Sequence, residues 1–167
     1  MSAIGAVELA GARAAPPIPR EGLLAHVQAV AAEHDVVLQV VDADAVYGPE
    51  HLLQAVRLAW RAHQRGDGIA SDRGAEIALY ASGERQIQRA LAVVGVPDPV
   101  ERVALVAVGA AAAAALGTLL ARAGLRRDDT LLAPKPEALA RLGIRPTPGA
   151  DPIDLVLERA ALVDALK

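Results

Sequence analysis

The sequence contains no cysteine and no phenylalanine, and it has few aromatic residues of any kind. Of its 167 residues, one is Trp and two are Tyr, although 53% are hydrophobic. Without cysteine the chain can form neither a disulfide nor a thiolate zinc site. The core must therefore be built from Ala, Leu, Val and Ile. The lack of cysteine also agrees with a reducing compartment, and we expect the protein to be cytoplasmic.

The sequence also lacks the strong positive charge of a protein coated in basic residues, since its formal net charge is −3. The charges are unevenly distributed along the chain. Residues 1–50 carry two Arg and seven acidic residues, whereas residues 51–91 carry six Arg and four acidic residues. Residues 92–167 carry nine charges of each sign. A polyanionic partner is therefore expected to contact residues 51–91.

The chain has no basic start followed by a long apolar run, so we expect no signal peptide. One stretch, residues 103–121, carries no charge and is about as long as a membrane-spanning helix. It is rich in Ala and is interrupted by Gly109 and Gly117. This pattern favours a buried strand, a turn and an Ala-rich helix over a membrane span.

The hydrophobic pattern predicts strands and helices that are interspersed along the chain. The predicted strands are 3–9, 36–41 and 102–108. The first predicted helix covers 21–33, the second starts at Pro49, and the third runs from a cap at Ser71 or Asp72 to Ser82. The fourth starts at Glu84 and the fifth ends near Gly124. The last two cover 137–142 and 153–166. Prolines at positions 16, 17 and 19 predict a turn after the first strand. The pattern indicates an α/β (α+β) fold, namely a single compact domain over residues 1–167 with a small mixed β-sheet packed against several α-helices.

Two aspartates at the end of the second predicted strand suggest one possible catalytic or metal site. Asp42 and Asp44 are two residues apart, so on a strand both would point to the same face, and His51 follows shortly after. A metal site needs further ligands that no spacing in the sequence supplies. A strand end with a turn cap is the more common use of this pattern. A small metal-dependent or acid/base enzyme that uses Asp42, Asp44 and His51 stays as an alternative.

The segment 82–91, with the sequence SGERQIQRAL, combines a helix break with several long hydrogen-bond donors. Arg85, Gln86, Gln88 and Arg89 follow directly after Ser82 and Gly83. Guanidinium groups bind phosphates in a bidentate manner and stack on bases, and a helix N-terminus favours anions. The segment could therefore contact nucleic acid. Taken by itself, the same composition is more often a solvated helix face.

Two blocks of the sequence resemble one protein family. Residues 42–55 (DADAVYGPEHLLQA) fit the pattern ADxVxGxxHLxxA, and residues 76–91 (EIALYASGERQIQRAL) fit ExxxYxSGxRQIxxAL. The two blocks resemble the TPRKB-like (PRPK-binding) small subunit of the KEOPS complex, in its archaeal form. Residues 154–162 are similar to the last helix of that family, and a strand such as 103–108 between the blocks also fits. Residues 125–149 have no counterpart that we can match.

The resemblance implies a compact α/β fold with no catalytic residues and no cofactor or metal. It implies a non-catalytic subunit of the complex that installs threonylcarbamoyl on the adenosine beside the tRNA anticodon. The implied partners are the kinase-like ATPase of KEOPS, the 3′ CCA end of tRNA and, indirectly, the other subunits. No membrane partner is implied.

These inferences lead to two predicted contact surfaces. The RNA contact is predicted to comprise six residues, namely His51, Ser82, Gly83, Arg85, Gln86 and Arg89. The ATPase contact is predicted on the C-terminal helix through three apolar residues outside its main apolar stripe, namely Leu155, Leu162 and Leu166. Arg57 and Arg61 could extend the basic surface, because they share one helix face. A self-associating module that pairs through its C-terminal helix is a further alternative.

Overall fold

The computed structural model describes residues 4–70 and 72–165, and in these residues it contains four strands and seven α-helices. The chain divides into two compact units. Of the described residues, the sheet unit comprises 4–43 and 96–132, and the helical unit comprises 44–70, 72–95 and 133–165. The α/β class is confirmed. The prediction of a single domain over 1–167 stays a prediction, and the two units are described separately below.

The sheet unit contains a four-stranded sheet in the order β2–β3–β1–β4. Its strands are β1 (Val7–Ile18), β2 (Val37–Asp42), β3 (Val100–Val108) and β4 (Arg126–Arg127). All three pairings are antiparallel, so the prediction of a mixed sheet was wrong. The reason is the position of β3. It lies between β1 and β2, whose directions are the same, and pairs antiparallel with each of them.

Helices α1 (Arg20–His34) and α5 (Ala112–Ala123) pack against each other and with the sheet to form the core of this unit. The core is made of small and branched aliphatic side chains, as the composition predicts. Representative fully buried members are Ala12, Val30, Leu105, Ala115 and Leu119. The uncharged stretch 103–121 is divided between β3 and α5. No helix within 4–70 and 72–165 is both long and apolar enough to cross a membrane.

Strand β1 extends further than the sequence predicts. The predicted strand began at residue 3, which lies outside the described residues, and ended before a turn at the prolines. The strand instead continues through Pro16 and Pro17 to Ile18, which pairs with Val100. The register shifts between Arg13 and Ile18, so the prolines occupy an irregular part of the ladder. Proline lacks an N–H donor, and it is tolerated in a strand at such irregularities.

The helical unit is built from α2 (Pro49–Arg65), α3 (Arg73–Ser82), α4 (Ile87–Val94), α6 (Pro136–Arg141) and α7 (Pro152–Ala165). Helix α2 begins at Pro49, whose fixed φ suits the first helical position. Its apolar stripe packs against α3 and α7. Helix α3 is capped by Asp72, whose carboxylate accepts the backbone N–H of Ala75 at 2.9 Å. The alternative cap, Ser71, lies outside the described residues.

Candidate nucleic-acid and partner interface

His51 lies on the buried face of α2 and is 1% exposed. Its Nδ1 accepts the backbone N–H of Tyr47 at 3.1 Å, and its Nε2 lies 2.7 Å from the carbonyl oxygen of Ala81. These partners fix the neutral tautomer in which Nε2 carries the proton. Burial lowers the pKa of His51, the Ala81 carbonyl opposes this, and the charge of Lys135 adds to the lowering. The ring therefore links the start of α2 to the end of α3.

Ser82 is fully buried at the end of α3. Its hydroxyl donates to the carbonyl of Leu79 at 2.9 Å and accepts the backbone N–H of Glu84 at 3.1 Å. The predicted direct RNA contacts of His51 and Ser82 therefore need correction, because both side chains are enclosed and bonded within the protein. Each instead shapes the backbone that carries the exposed donors.

Gly83 ends α3 with a φ of 73°, a conformation that glycine adopts without a Cβ penalty. Its N–H donates to the carbonyls of Leu79 and Tyr80, and the N–H of Glu84 also reaches Leu79 at 3.2 Å. This arrangement is a Schellman-type C-cap. The N–H groups of Gly83 and Glu84 are therefore used by the helix end, and the predicted RNA contact at Gly83 stays a prediction.

The next helix, α4, begins at Ile87 rather than at Glu84. Gly83 terminates α3 and residues 84–86 form a connection, so Arg85 precedes α4 while Arg89 lies in its first turn. Arg85, Gln86 and Arg89 are exposed, as the prediction requires. The first N–H groups of α4 also have no acceptor within the helix itself. Three of the six predicted RNA-contact residues thus present their side chains at one exposed helix start.

A groove of about 620 Å³ runs beside this helix start. It adjoins a second hollow of about 450 Å³ that shares Ile69, Arg85 and Gln86 with it. The groove has an apolar surface as well as polar edges, since Ile69 and Ile87 are 41% and 38% exposed. Its lining is Ile69, Ala70, Asp72, Ala75, Leu79, Arg85, Gln86, Ile87 and Gln88.

One wall of the groove is the loop after α2, and the buried carboxylate of Glu76 holds it. Glu76 is 3% exposed and lies on α3. Its two carboxylate oxygens accept the backbone N–H groups of Ile69, at 3.0 Å, and Ala70, at 2.7 Å. Glu76 belongs to the second sequence block, but its role was not predicted. The available signal was that Glu76 is the one carboxylate of α3 and is followed by the apolar run 77–81.

Helix α7 packs onto α2 and α3 through Val156, Ala160 and Val163, which are buried. Near its end, the carboxylate of Asp164 accepts the Tyr80 hydroxyl and lies 3.2 Å from the guanidinium of Arg65. Neither this cluster nor its role in seating α7 was predicted. A lone aspartate near a C-terminus carries no local signal of its distant partners.

The outer side of α7 carries a shallow hollow of about 210 Å³. Two of the three leucines predicted to bind the ATPase line it, because Leu155 is half-buried there and Leu162 is 41% exposed. The third, Leu166, lies outside the described residues. The complete lining is Ile144, Arg145, Leu155, Glu158, Arg159 and Leu162. We refer to it below as the α7 hollow.

The alternative catalytic site receives no support from the environment of its residues. Asp42 is buried at the end of β2, and both ring nitrogens of His51 are engaged. Within 4–70 and 72–165, no group of three His, Cys, Asp or Glu side chains is arranged to hold a metal ion.

An exposed groove with many donors and a partly apolar helix face are typical of a protein that binds other macromolecules. Comparison with known families gives the same class. The model of the family described as kinase binding protein CGI-121 matches residues 21–123, which is more than half of the chain. The chain belongs to this family of kinase-binding proteins, which confirms the resemblance to a TPRKB-like protein, whereas the archaeal form and the KEOPS complex stay predictions. No curated protein sequence matches the chain.

Proposed function

We propose that this protein is a non-catalytic subunit of the KEOPS complex that binds the kinase-like ATPase and holds the 3′ CCA end of tRNA. Membership of a kinase-binding family supports the first partner. The second partner is supported by the exposed helix start at Arg85, Gln86 and Arg89, which borders a groove with an apolar surface. Both surfaces belong to the helical unit.

The chemistry of the groove suits an unpaired RNA end. Unpaired bases expose apolar faces and polar edges at the same time. Ile69 and Ile87 offer apolar surface to a base face, whereas Gln86 and Gln88 offer amides to base edges. Arg85 and Arg89 supply guanidinium groups for phosphates or for stacking. A chain with three aromatic residues depends on such groups, because it has few rings on which bases could stack.

For the ATPase we propose the α7 hollow. An exposed Leu162 beside a half-buried Leu155 is a small apolar surface, and Arg145, Glu158 and Arg159 provide a charged border. Interfaces commonly combine an apolar centre with a polar rim. The family match ends at residue 123, so this assignment depends on the exposure of the leucines and on the similarity of residues 154–162 to the family's last helix.

The RNA surface is tested by replacing its two arginines together. Arg85→Ala plus Arg89→Ala removes two charged contacts of about 1.5 kcal/mol each, so tRNA affinity should fall about 100-fold. If both hold phosphates of a single strand, the slope of log affinity against log salt should fall by about 1.4. Filter-binding titrations at several salt concentrations measure both quantities.

The matched control is Arg122→Ala plus Arg126→Ala, which removes the same charge from exposed positions of the sheet unit. This control should leave affinity within about threefold of the parent protein and the slope changed by less than half a unit, because neither arginine lines the groove and exposed charges are screened by salt. An unchanged affinity and slope in the Arg85/Arg89 variant would remove the proposed RNA site.

A further inference from the structure

Arg159 lies in one of the surfaces proposed above and contacts the helix end that leads into the other. It lies on α7 and lines the α7 hollow together with Leu155 and Leu162. Its side chain also packs directly over Gly83, the residue that ends α3 ahead of the RNA-binding helix start. A Cβ added to Gly83 would lie 2.7 Å from Cγ and 2.8 Å from Nε of Arg159. The two groups are therefore in close contact, and only glycine leaves room for the arginine.

The polar bonds that hold the Arg159 side chain are weak. Its Nη2 lies 3.6 Å from a carboxylate oxygen of Glu84, and its Nε is buried with no hydrogen-bond partner in the part of the chain that the structure describes. The side chain is 37% exposed. The ion pair therefore adds little to holding this rotamer, since exposed ion pairs contribute at most about 1 kcal/mol.

The position of Arg159 affects the junction between α3 and α4. When it lies over Gly83 it fills the space above the helix end and places its charge beside Glu84, which precedes Arg85. A rotamer that turned away from Gly83 would remove this packing and the Glu84 ion pair, and the start of α4 would then be less ordered.

We propose that Arg159 couples the two binding surfaces, so that an ATPase seated on the α7 hollow holds Arg159 over Gly83 and thereby strengthens tRNA binding at the start of α4. The inference rests on the proposed function and specifies how its two sites communicate. A partner that orders a segment in advance lowers the entropic cost of the next ligand. Because the coupling is reciprocal, tRNA strengthens ATPase binding by the same factor.

The test measures tRNA affinity of the purified protein alone and with saturating ATPase, with the ratio of the two dissociation constants as the readout. For the parent protein we expect the ATPase to tighten tRNA binding about fivefold, at the lower end of common coupling factors. Arg159→Ala should reduce the ratio to about one. Arg159→Lys keeps the aliphatic chain over Gly83 and a positive charge, so it should retain a ratio of at least about two.

The control is Arg141→Ala, which removes the same charge from an exposed position that lines neither the groove nor the α7 hollow, and it should leave the ratio unchanged. The inference is overturned if the ATPase changes tRNA affinity by the same factor in the parent and in Arg159→Ala. That includes the case in which Arg159→Ala weakens tRNA binding equally with and without the ATPase. Failure of the parent protein to bind tRNA or the ATPase overturns the proposed function and the inference together. That result is seen in the separate binding titrations, so the two failures are distinguishable.

Discussion

Glu76→Gln should open the wall of the proposed RNA groove without unfolding the helical unit. The parent carboxylate accepts the N–H groups of Ile69 and Ala70, one on each oxygen. Glutamine keeps one acceptor oxygen but places an amide donor against the other N–H group. One hydrogen bond to a charged group is lost and a buried donor is left unmatched, which costs about 2 kcal/mol.

The effect should be local, because the two bonds join a loop to α3 and the apolar packing of that helix is unchanged. Backbone hydrogen exchange followed by NMR measures it directly at Ile69 and Ala70. A destabilisation of about 2 kcal/mol corresponds to exchange about 30-fold faster at these two amides. Amides of the buried part of α3, such as that of Leu79, should change much less, unless the whole unit has lost stability.

The comparison variant is Glu50→Gln, which removes a carboxylate of the same length at an exposed position on α2. Glu50 forms an exposed ion pair with Arg57 at 3.6 Å, which contributes little to stability, so the exchange pattern of this variant should match that of the parent. If Ile69 and Ala70 exchange at the parent rate in Glu76→Gln, the carboxylate does not hold the loop and the argument fails.

Two further predictions concern α7 and His51. Leu162→Glu should abolish co-purification with the ATPase. Because the Leu162 side chain is 41% exposed, the isolated variant should keep the circular dichroism spectrum of the parent. Co-purification at the parent level would exclude the α7 hollow as the contact. Burial lowers the pKa of His51 from 6.5, so the unfolded state binds more protons than the folded state does. The contribution of His51 to stability is therefore present above pH 6.5 and is lost as the pH falls through the folded-state pKa. Urea unfolding at pH 7.5 and 5.5 should show a smaller fall in the free energy of unfolding for His51→Gln than for the parent, whereas the exposed His63→Gln should follow the parent. Equal falls in all three proteins would contradict the lowered pKa of His51.

The regular elements were largely predictable because their signals are local. A β-branched run gave β2, a proline at the first helical position gave the start of α2, and Asp72 gave the cap of α3. The strand pairing was not predictable in the same way. Whether β3 lies beside β1, beside β2 or between them depends on contacts distant in sequence, and so the mixed sheet was expected where an antiparallel one forms.

The burial of His51 could have been inferred from spacing. It is four residues before Ala55 and seven before Leu58, so it shares the buried stripe of α2. Ser82 likewise continues the buried positions 78 and 79 of α3. Polar side chains that follow an apolar stripe are expected inside the protein and bonded there. The partners that they bond, such as the Ala81 carbonyl, depend on how the helices pack and carry no sequence signal.

The arrangement of the arginines decides how far the basic surface extends. Of the six in residues 51–91, three on α2 lie close to carboxylates, since Arg57 pairs with Glu50 and both Arg61 and Arg65 approach Asp164. A fourth, Arg73, lies 5.2 Å from the centroid of the Trp60 ring.

Arginines with nearby carboxylates attract a distant polyanion less, because the two charges partly cancel. We therefore leave Arg57 and Arg61 out of the proposed RNA contact. Arg85 and Arg89 are distinguished by their position, because both lie at the exposed start of α4 and Arg85 lines the groove. A double substitution at these two positions, rather than a general reduction of basic charge, is therefore the decisive test of where RNA binds.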